Sequence, residues 1–464
     1  MEPVSPPPIL PKPSFFKRAA TVFKLIGVGF LILVMLIPLG MIGSILRERL
    51  ERRNAAVSEI TATWGHQQKL VGPVLIVPYR YSFKSWKEQP DSKGKIERVE
   101  VVETAVAKAY FLPASLAVDG SIAPRQLHRG IYQAIVYDGN LNISAQFTPP
   151  DFASLHIAEA DIIWDDALVT FAIPDLRGIK DNLQLQWGTA TVQLMPGCKL
   201  RDFPAGVSAR INVRDAQGPI DLKLQLSLNG SEGIHFTPVG AKTTVRLKSP
   251  WPDPRFEGAY LPTERSVTPT GFEARWDVSF YGRDFGQQWT DRDNSTNLTP
   301  AAATQSQFGV DFLAGIDTYR NVERAIKYGA LFLVLVFATF FLFEVLARLR
   351  IHPFQYLLVG ADLCLFYLGL LALSEFIPFG TAYLATACVV TLLIWFYCAK
   401  VLQSGKRTMI LVGLLAGIYS FLYVTLQLQD YSLLLGTAGL FVVLAIVIIV
   451  TRNIDWYTRD NPNT

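Results

Sequence analysis

A carboxylate inside an apolar run is costly to insert into a membrane. Glu344, Asp362 and Glu375 each sit within or at the end of such a run. A central Asp costs about 2.5–3.5 kcal/mol on insertion scales, so residues of this kind carry a proton, hold an ion or pair with another helix. Glu344 precedes Arg348 by four residues. That is the spacing of a same-face ion pair whose cation snorkels to the interface. Asp362 stands six residues into its run, about 9 Å from the start at 1.5 Å per residue. It is expected to face other helices, protonated or paired with Arg350 or Gln355. Glu375 closes the same run. Tyr419, Tyr423 and Gln427 recur every four residues and share one helix face, with Tyr423 and Gln427 at the depth of Glu375. Interhelical hydrogen bonds from that face to Glu375 are the expected outcome. His352 and Gln355 flank Pro353, which suits the first turn of a helix, where its missing N–H costs nothing. Asp430 lies in a short link between two later apolar runs.

Enzymatic signatures are lacking. The sequence contains no G-x-x-x-x-G-K-[ST], no H-E-x-x-H and no G-x-S-x-G. Asp161, Asp165 and Asp166 are the one acidic cluster that hints at hydrolysis, and they fall on what reads as a solvated turn. Cys198 is alone in the middle of the chain, and Cys364, Cys388 and Cys398 lie in apolar runs. None has metal-ligand spacing, and the five histidines are scattered. No catalytic residue, cofactor or metal site is expected. A net charge of +4 over 464 residues gives no case for nucleic acid.

The elements that position these residues follow from hydropathy. The mean value of +0.27 averages a charged middle and strongly apolar ends. A bilayer core of about 30 Å takes about 20 apolar residues of helix. Runs at 25–46, 328–347, 356–373, 381–401, 409–428 and 433–450 meet that length, which predicts six transmembrane helices. Lys12, Lys17, Arg18 and Lys24 precede the first, and no A-x-A cleavage pattern follows it, so it reads as an uncleaved signal anchor. Arg348 and Arg350, then Lys400, Lys406 and Arg407, then Arg452 and Arg459 mark every other connection. The links 375–380 and 429–432 carry no Lys or Arg. This alternation puts both termini (1–24 and 452–464) in the cytoplasm and exports residues 47–325. Arg47, Arg49, Arg52 and Arg53 weigh the other way, but they open a long segment, where the rule is weak. Trp456 and Tyr457 suit the headgroup layer.

The exported segment begins as a helical continuation of the first span, a stalk with Leu46, Leu50, Val57, Ile60 and Trp64 near one face. Beyond Gly72-Pro73 the pattern changes to period two. Strands are expected at 74–83, 102–112, 131–137, 141–147, 168–173, 183–194, 222–230, 243–249 and 272–282, with Gly, Pro, Asn and Asp in the breaks. The expected fold is a membrane α-helical protein with a large extracytoplasmic β-rich domain, antiparallel and sandwich-like. The segment SPWPDPRFEGAYLP (249–262) reads as a rigid crossover loop covering an open end of the sheets, or as a groove for a partner. GLLAG, with Gly413 and Gly417, permits close helix packing within the bundle of residues 326–451.

Several long segments carry a family likeness: LVGPVLIVPY (70–79), HRGIYQAIVY (128–137), SPWPDPRFEGAYLP (249–262), KYGALF (327–332), RIHPFQYLLVGADLCLFYLGLLALSE (350–375), LQLQDYSLLLGTAGLF (426–441) and TRNIDWY (451–457). Through them the chain resembles the CreD family of bacterial inner-membrane proteins. The resemblance implies a multi-pass inner-membrane protein with a periplasmic domain, tied to cell envelope integrity, colicin tolerance and the β-lactam stress response. It also implies control by a sensor kinase and its response regulator, with no enzymatic activity and no catalytic residues to carry over. The lipid bilayer is the implied environment, and a periplasmic envelope protein or cell-wall fragment the implied partner. Phe376 stands where the family usually has a histidine, which weakens a Glu-His proton relay. Asp362 stands where it usually has a small apolar residue. A transporter or channel is the alternative reading, and it would need a polar path through the C-terminal helices.

Overall fold

The computed structural model describes residues 15–90, 96–214, 218–292, 297–312, 318–346, 351–401, 404–428 and 431–452. The chain divides into two compact units, Asn54–Gly315 and Met1–Arg53 with Ile316–Thr464. Helix α1 (Phe15–Trp64) contributes to both. At about 1.5 Å per residue its 50 residues run about 75 Å. Pro38 in its interior removes one backbone hydrogen bond.

In the β-rich unit the end of α1 places Val57, Ile60 and Trp64 against Ala134 and Val136. Seventeen strands follow among the described residues. They are β1 (Gln68–Pro90), β2 (Ile96–Phe111), β3 (Ser115–Arg129), β4 (Tyr132–Phe147), β5 (Leu168–Ala172), β6 (Gln184–Trp187), β7 (Ala190–Gln193), β8 (Met195–Pro196), β9 (Gly206–Arg210), β10 (Ile220–Ser231), β11 (Gly233–Phe236), β12 (Lys242–Ser249), β13 (Pro254–Gly258), β14 (Glu264–Thr268), β15 (Gly271–Ser279), β16 (Gln288–Thr290) and β17 (Phe308–Phe312). Helix α2 (Pro300–Ser306) precedes β17. One sheet runs β13-β17-β11-β1-β5-β9-β8, with β2 along β1 and β16 beside β2; the other runs β14-β15-β12-β3-β4-β10-β6-β7. Both sheets contribute to one hydrophobic core. In β10, for example, Leu222, Leu224, Leu226 and Leu228 alternate as buried residues with outward Lys223 and Gln225.

The expectation of wholly antiparallel pairing is corrected. β1–β11 and β3–β12 are parallel, so both sheets are mixed. The cause is visible at Glu232, whose φ of 64° turns the chain out of β10 in one sheet and into β11 in the other. A strand that arrives from another sheet is free of the antiparallel constraint a hairpin imposes. The predicted strands at 131–137 and 141–147 are one strand, β4. The segment 183–194 is a hairpin, β6–β7, turned at Gly188 (φ 55°). The proline-rich segment 249–262 contains a strand, β13, rather than only a loop. Its aromatics pack inward: Trp251 on Phe312, Phe256 on Phe272 and Trp276, Tyr260 on Phe308. The acidic cluster lies on two short 3-10 turns, where Asp166 pairs with Arg210 at 3.2 Å.

Asp175 fastens the start of β1. It is buried, accepts from the His66 backbone N–H at 3.1 Å, and binds both the backbone and the guanidinium of Arg177. The Arg177 hydrogen bond comes first in holding its carboxyl at about 2, below the usual 3.8. A depressed acid stabilises the fold above its unfolded value and stops doing so as pH falls through its folded one. We therefore expect a loss of about 1–2 kcal/mol of stability as pH drops from 4 to 2. Urea unfolding of the detergent-solubilised protein across that range should show the drop in the wild type and a flatter profile in Asp175→Asn.

The membrane unit contains α3 (Thr318–Leu346), α4 (Pro353–Ser374), α5 (Phe379–Val401), α6 (Gly405–Gln427) and α7 (Ser432–Thr451). Five helices, α1 and α3–α6, are long and apolar enough to cross a membrane among the described residues. The qualifying stretch of α7, Leu434–Ile446, is shorter. Gly413 and Gly417 are corrected too: a Cβ at either would meet nothing within 4 Å among the described residues, so they do not serve packing inside the bundle.

Candidate functional site

Glu344 is 5% exposed and uses both carboxylate oxygens. It accepts from Lys24 of α1, from the Ile351 backbone N–H at 2.9 Å and from the Tyr356 hydroxyl at 3.0 Å. The acid is an internal tie between α1, α3 and α4, and the expected partner Arg348 lies outside the described residues. Arg348, Arg350, Asp430, Trp456 and Tyr457 lie outside the described residues. His352 and Gln355 form a capping box at the start of α4. His352 Nδ1 accepts from the Phe354 N–H at 3.3 Å, and the Gln355 side chain accepts from the His352 N–H at 3.1 Å. Gln355 therefore serves the helix end and makes no hydrogen bond to Asp362, which corrects that expected pairing. Asp362 is half-buried, and its Oδ2 has no hydrogen-bond partner among the described residues; the buried hydroxyls of Tyr367 and Tyr419 have none either.

Glu375 is also partnered differently from the expectation. It accepts from Tyr319 at 3.3 Å and lies 3.6 Å from Arg49, whereas Gln427 is exposed and Tyr423 packs its ring on Tyr383 at 5.2 Å. The i, i+4, i+8 face of α6 is thus aromatic where it is buried and polar only where it leaves the bundle. A double-mutant cycle in detergent should give coupling of about 0.5–1 kcal/mol between Glu375→Ala and Tyr319→Phe. Glu375→Ala and Gln427→Ala should add within about 0.3–0.5 kcal/mol.

Among the described residues, sheet register gathers one group of His and carboxylate side chains closely enough to share an ion. His235 of β11 and Glu257 of β13 both pair with Gly309 of β17, and Asp311, two residues on, pairs with Gly233 and Arg255. Paired residues share a face, and so do residues two apart. His235, Glu257 and Asp311 therefore project together, while Ile234, Phe308 and Val310 fill the core on the other face. Their donor atoms lie within 4.8 Å of one another, and His235 Nε2 is 3.6 Å from Asp311 Oδ1. Gln67 donates to Asp311 at 3.0 Å, and Arg255 pairs with Glu257 at 2.5 Å. Burial and then nearby Lys69 push the His235 imidazole down to about 4, leaving it neutral at pH 7. Burial and then the adjoining Glu257 push Asp311 up to about 6.

A family model described as inner membrane protein CreD matches residues 20–457. The chain belongs to the CreD family. Inner membrane protein CreD of Escherichia coli (strain K12) is 30% identical over 433 residues, covering 93% of this chain and 92% of its own. Native yeast LTA4 hydrolase overlaps 49% of this chain and 35% of its own at 8% identity, with a TM-score of 0.19 that carries no argument. Membership of the CreD family together with several apolar helices makes this a multi-pass inner-membrane protein. No sequence motif in this CreD-family chain points to His235, Glu257 and Asp311. They are separated by 22 and 54 residues, and only the pairing of three strands, with glycines at 233 and 309, brings them together.

Proposed function

We propose that this CreD-family protein supports cell envelope integrity and the response to β-lactam stress. Its β-rich unit would act in the periplasm as a binding or scaffolding domain, without catalysis. In this reading α7 is the sixth span, both termini are cytoplasmic, and the ligand is a periplasmic envelope protein or a cell-wall fragment. The observation that carries it is the placement of one large two-sheet unit between the first apolar helix and the rest, with Lys and Arg marking alternate connections. A reporter that fluoresces only in the cytoplasm should stay dark when fused within the β-rich unit and glow at the C-terminus. A deletion strain should regain β-lactam tolerance with the full-length gene. A glowing β-unit fusion, or a deletion with unaltered tolerance, would overturn the reading. The second reading, transport through the bundle, draws on the polar atoms of Asp362, Tyr367 and Tyr419 that have no hydrogen-bond partner among the described residues. Loss of complementation by Asp362→Asn at normal protein levels would favour it.

A further inference from the structure

We propose that His235, Glu257 and Asp311 bind a divalent transition-metal ion, with Zn²⁺ the best match. Zn²⁺ takes imidazole nitrogen and carboxylate oxygen at about 2.0–2.2 Å, which sets tetrahedral neighbours about 3.4 Å apart. His235 Nε2 and Asp311 Oδ1, at 3.6 Å, already stand close to that spacing, and Glu257 supplies the third donor within 4.8 Å. One imidazole with two carboxylates suits Zn²⁺ or a neighbouring transition metal, whereas Ca²⁺ and Mg²⁺ favour all-oxygen sets. Three protein ligands leave a fourth position for water or for a donor from a bound partner.

Two independent features mark this as a built site rather than a chance meeting of acids. The His235 side chain is 4% exposed, so the imidazole whose Nε2 faces Asp311 is held inside the fold. The space into which the donors converge is kept open by glycine. A Cβ on Gly233 would stand 2.0 Å from Asp311 Oδ1, and one on Gly309 would stand 2.1 Å from the Ile234 carbonyl oxygen and 3.0 Å from His235 Cδ2. Gln67 orients Asp311, and Arg255 orients Glu257, in the manner of groups that hold metal ligands in place.

Tag-free full-length protein in detergent, stripped with chelator and equilibrated with Zn²⁺ alone, should retain one ion per chain by elemental analysis, and its melting temperature should rise with added Zn²⁺. Glu257→Gln and Asp311→Asn preserve shape and should each weaken Zn²⁺ binding at least tenfold and abolish the thermal shift, with circular dichroism unchanged. Cys198→Ser, which removes the thiol of the same unit, should bind as the wild type does. A wild-type protein that retains no Zn²⁺ would overturn the site, as would Glu257→Gln and Asp311→Asn proteins that retain it with unchanged affinity.

Discussion

Trp276→Ala lowers the stability of the β-rich unit by about 3–5 kcal/mol, the cost of emptying a large buried aromatic site that the surroundings cannot close. Trp276 is fully buried on β15, opposite Val245, with its ring 5.7 Å from Phe256 and 5.8 Å from Phe308. The indole thus joins β15 of one sheet to β13 and β17 of the other, and its removal loosens the strands that carry Glu257 and Asp311. Trp276→Phe should behave differently. The indole N–H is buried without a hydrogen-bond partner among the described residues. Phenylalanine removes that unsatisfied donor while keeping most of the apolar area, so its loss should stay near 1 kcal/mol. Chemical denaturation of the full-length protein in detergent, followed by near-ultraviolet circular dichroism, measures both. Equal losses for the two variants would mean that the ring volume phenylalanine keeps does not decide the energetics, and that a feature peculiar to the indole does.

What could be read from the sequence was what depends on local pattern. Apolar runs are legible because a bilayer demands length and excludes charge. β10 is legible because Leu222 to Leu228 alternate with polar residues. β3 was hidden by the residues that usually break strands. It contains Gly120 and Pro124, yet Gly120 is there to admit the Leu141 and Leu247 side chains, each 2.7 Å from where its Cβ would be. The partners of polar residues were the least legible. Sequence reasoning pairs Glu375 with an aligned helix face, whereas the fold gives it Tyr319 and Arg49; no local spacing points to Lys24 and Tyr356 as partners of Glu344. The same holds for His235, Glu257 and Asp311. Strand order is a non-local choice, so their meeting is invisible until β11, β17 and β13 are in register.

The Lys24–Glu344 tie is likewise non-local: it joins α1 and α3 through residues 320 positions apart in the chain. Glu344→Ala leaves Lys24, the Tyr356 hydroxyl and the Ile351 N–H without their shared acceptor, at a cost on the order of 3 kcal/mol. Lys24→Met leaves the carboxylate in place, and among the described residues Glu344 then keeps its two neutral donors, the Ile351 N–H and the Tyr356 hydroxyl. The Lys24 side chain is about one-third exposed, so the loss is tempered by solvent and should be about 1–3 kcal/mol. Combining Lys24→Met with Glu344→Gln removes both charges. The double variant should recover much of the loss, because an uncharged glutamine still offers an acceptor to Tyr356 or Ile351. Thermal unfolding in detergent of the wild type, Lys24→Met, Glu344→Gln and the double variant would close the cycle. A coupling above about 1 kcal/mol is expected. Losses that add within about 0.3–0.5 kcal/mol would mean that the lysine and the glutamate do not act as a pair, and that Tyr356 and Ile351 alone hold the acid in the bundle.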